Sequence, residues 1–205
     1  MSNSRGVLYV VAAPSGAGKT SLVRRLLDTM ENIVVSVSYT TRPMRPGDVD
    51  GVDYCFTTPE AFEEKVQQQQ FLEHAEVFGH HYGTSKDWVI NTLDQGKDIL
   101  LEIDWQGARQ ISQLFPEAVS IYVLPPSILE LERRLRGRQQ DQDEVIVDRM
   151  NQAKSEMRHF HEFDYTVVND DFEQALSALQ SIVVANRHKT ARQLHIQQKL
   201  LAELT

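Results

Sequence analysis

The chain has 205 residues and carries 21 Lys+Arg against 29 Asp+Glu, a formal net charge of −8. A chain of this length buries roughly 70% of its unfolded surface in one domain without a structural metal, and the lone Cys55 excludes an intrachain disulfide and fits a reducing, cytoplasmic setting. The acidic balance argues against a nucleic-acid partner, and the longest apolar run, residues 7–13, falls far short of the ~20 residues of a membrane span.

Residues 7–12 are continuously apolar, as in a buried parallel strand, and lead straight into Ala13-Pro14-Ser15-Gly16-Ala17-Gly18-Lys19-Thr20. This string matches the phosphate-loop pattern, with Ala13 in the place of the first glycine. After it, Leu22, Val23, Leu26, Leu27 and Met30 repeat at helical spacing. A strand before and a helix after aim several backbone N–H groups at one phosphate chain. Lys19 then reaches the β- and γ-phosphates, and the Thr20 hydroxyl is placed to ligate Mg²⁺.

A second apolar strand is expected at 33–37, after which the pattern changes. Between Ser38 and Gly96, turn formers cluster at 43–48, short strands fall at 54–57, 71–78 and 82–84, and Thr57, Thr58 and Pro59 open a helix. This reads as an inserted lobe. The strand pattern resumes at 99–103, where Glu102 and Asp104 lie on one side of the strand end; Asp104 is the candidate carboxylate for a divalent metal, acting through water. A strand at 119–124 precedes Ser127 and Glu130, a capping-box pair that starts another helix. The polar, arginine-rich stretch 136–142 interrupts two helical patterns and reads as a lid. A last strand is expected at 165–168. Strands alternating with helices specify an α/β phosphate-loop core with a parallel sheet flanked by helices, carrying a mixed α+β lobe and a short lid. The parts are 1–37, 97–132 and 150–205 for the core, 38–96 for the lobe and 133–149 for the lid.

Six separated segments together resemble the bacterial guanylate kinases along the whole chain. They are the 13–20 loop, Ser38 to Gly47 with Arg42-Pro43-Met44-Arg45, Phe71-Leu72-Glu73-His74-Ala75, Tyr82-Gly83-Thr84, Asp104-Trp105-Gln106-Gly107 and Leu135-Arg136-Gly137-Arg138. The resemblance implies transfer of the γ-phosphoryl group of ATP to GMP with Mg²⁺, giving ADP and GDP. It also implies that Arg42, Arg45, Tyr54 and Tyr82 hold the GMP phosphate and that Arg134, Arg138 and Arg149 close over the transferred group. Glu102 and Asp104 would face the acceptor as well, and Asn169 the adenine side. Glu102 stands where an aspartate is more usual, and its extra methylene moves the carboxylate by roughly 1.5 Å, enough to alter a rate.

The chemistry agrees with that expectation. A nucleoside monophosphate loses its second proton near pH ~6, so its attacking oxygen is already anionic and no general base is needed. Alignment and charge neutralisation remain, which suits clustered arginines and the lack of a histidine-centred triad. Guanine offers N–H donors at N1 and N2, which suit the Glu73 carboxylate, while Ser38 and Thr84 hydroxyls can donate to O6.

Three other readings stay open on the residues alone, one of them a kinase for another monophosphate, which turns on Glu73. Asp104-Trp105-Gln106-Gly107 also fits the D-x-x-G of a GTPase, although no N-K-x-D string accompanies it, and a non-catalytic phosphopeptide-binding module shares the resemblance. Lys19, Thr20, Asp104, Arg134 and Arg138 favour the enzyme. The segment 191–205 is amphipathic, and is expected to pack on its own core, with homo-oligomer formation as the alternative.

Overall fold

Strands that are apolar on both sides need cover on both sides. The computed structural model describes residues 5–137 and 143–204. β1 (Leu8–Ala12) leads to α1 (Lys19–Thr29), β2 (Ile33–Val35), β3 (Tyr39–Thr40), β4 (Cys55–Phe56), α2 (Pro59–Gln67), β5 (Phe71–Val77), β6 (His80–Ser85) and α3 (Lys86–Asp94). Then come β7 (Asp98–Glu102), α4 (Trp105–Leu114), β8 (Val119–Leu124), α5 (Ile128–Gly137), α6 (Asp143–Met157) and a 3-10 turn at Phe160–Glu162. β9 (Tyr165–Val168), α7 (Phe172–Arg187), α8 (Thr190–Ile196) and α9 (Gln198–Leu204) complete the order.

The main sheet runs β2-β7-β1-β8-β9 with every pairing parallel, so the phosphate loop leaves its central strand. Tyr9 and Val11 of β1 pack against Leu22 and Leu26 of α1 and Leu176 and Leu179 of α7, while Leu8 and Val10 pack with Val89 and Leu93 of α3 and Ile111 of α4. Each such side chain contributes about 1.5–3 kcal/mol by leaving water.

The inserted lobe forms a second sheet, β4-β3-β6-β5. Its edge strand β5 lies along α4: the Gln110 amide donates to the His74 carbonyl (2.8 Å) and accepts from the His74 N–H (3.1 Å). Leu72 of the same strand joins the core between the main sheet and α3 and α4, fusing lobe to body. The structure adds β3, which no periodicity announced because it is two residues long and borders the turn cluster. The strand expected at 33–37 ends at Val35, where the chain departs toward the lobe.

As expected, Thr58 caps α2 by accepting from the Ala61 N–H, with Pro59 in the first turn. The expected capping box of α5 is only half made. Ser127 Oγ accepts from the Glu130 N–H (3.1 Å), but the Glu130 carboxylate turns to Arg133 and Arg134 instead. α5 and α6 share a separate small core of Leu131, Leu135, Ile146, Met150 and Ala153, so the borders at 132/133 and 149/150 fall inside helices.

Asp98 opens β7 fully buried and accepts hydrogen bonds from the Val7 N–H (2.7 Å), Arg187 Nε (2.8 Å) and Arg192 Nη2 (3.1 Å). It thereby ties the start of β1 to the end of α7 and to α8. Gln193 Nε2 adds a bond to the Arg187 carbonyl (3.0 Å), while Leu194, Ile196, Leu200 and Leu204 stay exposed rather than packing on the core. Among the described residues no helix is long and apolar enough to cross a membrane.

Candidate active site

The 13–20 loop bends where only a left-handed backbone serves: Gly18, with φ 93°, caps α1 and leaves the first-turn N–H groups free of any side-chain cap. A Cβ on Gly18 would collide with Asn169 Nδ2, so the position has no room for a side chain. That amide donates to the Ala17 carbonyl (2.7 Å), and Arg134 Nη2 donates to the Asn169 carbonyl (3.0 Å). Asn169 and Arg134 thus brace the loop from beneath. The Asn169 side chain is buried against the loop backbone. Arg138 lies outside the described residues.

Lys19 donates to the Ile103 carbonyl (3.4 Å), which sets its ammonium across the C-terminal ends of β1 and β7. The Thr20 hydroxyl donates to Glu102 Oε2 (3.2 Å). Thr20 thus meets the strand-end carboxylate of Glu102 directly. β7 ends at Glu102, and by Asp104 the chain has turned to cap α4, the carboxylate accepting from the Gly107 N–H (2.9 Å) and Gln106 Nε2 (2.9 Å). The longer glutamate reaches the loop from the strand end. Among the described residues no group of three or more His, Cys, Asp or Glu forms a cage for a metal ion.

On the lobe, Glu73 is only 4% exposed although β5 is an edge strand. A register shift between Phe71 and Glu73 turns Leu72 and Glu73 both inward. The Thr84 hydroxyl donates to Glu73 Oε1. Burial above all, then the Asp104 charge, pushes the Glu73 carboxyl up to about 7, against the opposing Thr84 bond and Lys19. Its other oxygen lies over α4, where a Cβ on Gly107 would come within 2.5 Å of it.

The arginine turn is held by an acid that sequence reading passed over. Arg42, 8% exposed, donates to Asp48 (2.9 Å) and to the Pro43 carbonyl (2.9 Å), and the Arg45 N–H donates to the same Asp48 oxygen (2.7 Å). The guanidinium of Arg42 sits over the Tyr54 ring (5.2 Å), whose edge meets Tyr82 (5.8 Å). Burial raises the Tyr54 phenol, with Tyr82 and Glu102 adding to the effect. Arg42, Tyr54 and Tyr82 are therefore brought together, with Arg45 exposed beside them and Ser38 half-buried where its carbonyl accepts from the Cys55 N–H (2.9 Å).

Two further groups were invisible as motifs. Glu156, two helical turns beyond Arg149 on α6, has its carboxyl pushed up to about 7 by burial and then by Asp104, with Lys19 opposing. The signal for it was the seven-residue spacing that puts it on the Arg149 face of the helix. At the foot of α6, His159 stacks on Trp105 (3.7 Å), and Glu162 joins Arg109 through hydrogen bonds of 2.6 and 2.7 Å, so this end of the helix is clamped beside Asp104. Arg149 itself is placed over the Phe78 ring of the lobe, 5.7 Å from its centre.

The site thus joins a braced phosphate loop, a lysine between strand ends and a buried carboxyl on a separate lobe. The chain matches the guanylate kinase family model over residues 5–186. It is 54% identical over 200 residues to a guanylate kinase of Hydrogenovibrio crunogenus, covering 98% of each chain. Against a guanylate kinase of Alkalilimnicola ehrlichii the identity is 57% over 198 residues, covering 97% of this chain and 96% of that one. The crystal structure of guanylate kinase from Anaplasma phagocytophilum superimposes with a TM-score of 0.79 at 36% identity, over 94% of this chain and 92% of that chain. This chain belongs to the guanylate kinase family.

Proposed function

We propose that the chain transfers the γ-phosphoryl group of ATP to GMP, giving ADP and GDP, in the cytoplasm and with Mg²⁺. The observation that carries the acceptor is Glu73, a buried carboxyl on the lobe that accepts from Thr84. Guanine supplies two N–H donors to such a group, and a base presenting an acceptor there would leave it unpaired.

ATP lies on the loop, with the N–H groups at the start of α1 and the Lys19 ammonium meeting its phosphates. Asn169 and Arg134 keep that loop in shape, and Arg138 and Arg149 supply further positive charge on closure. Arg42, Arg45, Tyr54 and Tyr82 orient the GMP phosphate, which takes Arg42 over from Asp48. Its anionic oxygen attacks the γ-phosphorus as the bond to the ADP oxygen breaks, and no proton has to be removed. The oxygen donors of Thr20 and Glu102, 3.2 Å apart, suit a hard divalent ion, with Asp104 within reach through water. Held by Thr20 and Glu102, with Asp104 through water, Mg²⁺ would supply positive charge that offsets the charge of the phosphates.

A coupled ADP-release assay with GMP, AMP, UMP and dTMP tests the reading. GMP alone should support fast turnover, and Lys19→Ala should nearly abolish it. Equal rates with AMP, or no ADP release above background with any acceptor, would refute it.

A further inference from the structure

The β5–β6 hairpin closes with two left-handed residues, Phe78 (φ 52°) and Gly79 (φ 72°). Glycine accepts that conformation freely, whereas a bulky aromatic is an outlier there. Phe78 is also 44% exposed, so neither backbone preference nor core packing accounts for a phenylalanine at this tip. What its ring does meet is the Arg149 guanidinium, 5.7 Å from the ring centre, reaching across from α6. The base of the same hairpin carries Glu73 and Thr84, joined to each other. Five residue steps lead along the strand from Glu73 to Phe78, a stiff span of roughly 17 Å.

We propose that Phe78 is a positioning residue that links the GMP lobe to the lid helix and aims Arg149 for phosphoryl transfer. The proposal rests on the GMP kinase reading above. Base capture at Glu73 settles the base of the hairpin, the hairpin carries its tip with it, and the ring draws the arginine by a cation–π contact. The face of α6 that bears Arg149 is thereby governed from the acceptor side, which ties readiness for transfer to the presence of the acceptor. A bare lobe–lid contact would be served by any apolar residue; this role needs the ring face.

The test uses Phe78→Leu, which keeps apolar bulk and the same left-handed strain, Phe78→Tyr, which keeps the ring, Arg149→Ala, and the Phe78→Leu/Arg149→Ala pair. Phe78→Leu should lower kcat about fivefold, the scale of one lost cation–π contact, with the KM for ATP unchanged. Phe78→Tyr should restore the parent kcat, and Phe78→Leu should cost nothing more once Arg149 is alanine. An equal loss in both backgrounds would overturn the proposal, since a merely structural tip acts independently of Arg149. So would a Phe78→Leu protein with parental kcat, or an Arg149→Ala protein with parental kcat. A parent protein without GMP-dependent turnover would instead sink the kinase reading, which separates the two failures.

Discussion

Glu73 offers the sharpest test, because one side chain ties the lobe's burial to its chemistry. Its carboxyl is raised from 4.5 to about 7, chiefly by burial. Only the ionised form accepts from both guanine donors, so below about pH 7 GMP must expel a proton to bind. From pH 8 to pH 6 the ionised fraction of the free protein falls about tenfold, and the KM for GMP should rise by the same factor. The GMP phosphate, titrating near ~6, adds about twofold of its own. The parent protein should therefore show a rise of about twentyfold, and Glu73→Gln, with no carboxyl to titrate, about twofold from a KM already raised on the order of a hundredfold. The KM for ATP serves as the internal control. Stability moves the opposite way to that of a salt-bridged acid. The folded carboxyl holds its proton more tightly than the unfolded one, so its contribution is full below pH 4.5 and is lost as pH climbs to about 7. Glu156 acts in the same direction. At pH 8, Glu73→Gln should then be more stable than the parent by up to about 3 kcal/mol in chemical denaturation. Parallel pH profiles of the GMP KM in the two proteins would refute the reasoning.

Gly107→Ala should improve the helix propensity of α4 by about 1 kcal/mol yet raise the KM for GMP, because its Cβ would press within 2.5 Å of Glu73 Oε2; kinetics and thermal melts on one preparation decide it. Asp98→Ala leaves the Val7 N–H and two arginines without their buried acceptor, and should lower stability by about 3–5 kcal/mol, or Tm by about 6–20 °C. Asn169→Ala removes the brace on the Ala17 carbonyl, so the KM for ATP should rise about five- to tenfold while that for GMP stays within about twofold; equal changes in both would refute the bracing role.

The parallel sheet was legible because β1, β7 and β8 are buried on both faces and so read as unbroken apolar runs. The phosphate loop was legible because its glycines and lysine answer to one local backbone geometry. Glu73 was legible as chemistry, while its burial was not, since that depends on the irregular pairing of β5 and on a helix more than thirty residues downstream. Asp48, Asp98 and Glu156 escaped for the same reason. Each takes its meaning from groups that the fold brings close, and a carboxylate in a polar stretch looks the same in sequence whether it is solvated or buried. The cap that Asp104 gives α4 was not legible, because it turns on where β7 stops.

Gln110 has a consequence beyond holding β5 in place. Its amide saturates the N–H and the carbonyl of His74 together, mimicking the partner strand that the outer margin of the lobe lacks. An unguarded margin of that kind invites strand addition from another molecule and, at high concentration, polymerisation. One glutamine on a neighbouring helix thus takes up the main-chain hydrogen-bonding capacity that His74 would otherwise offer to an added strand.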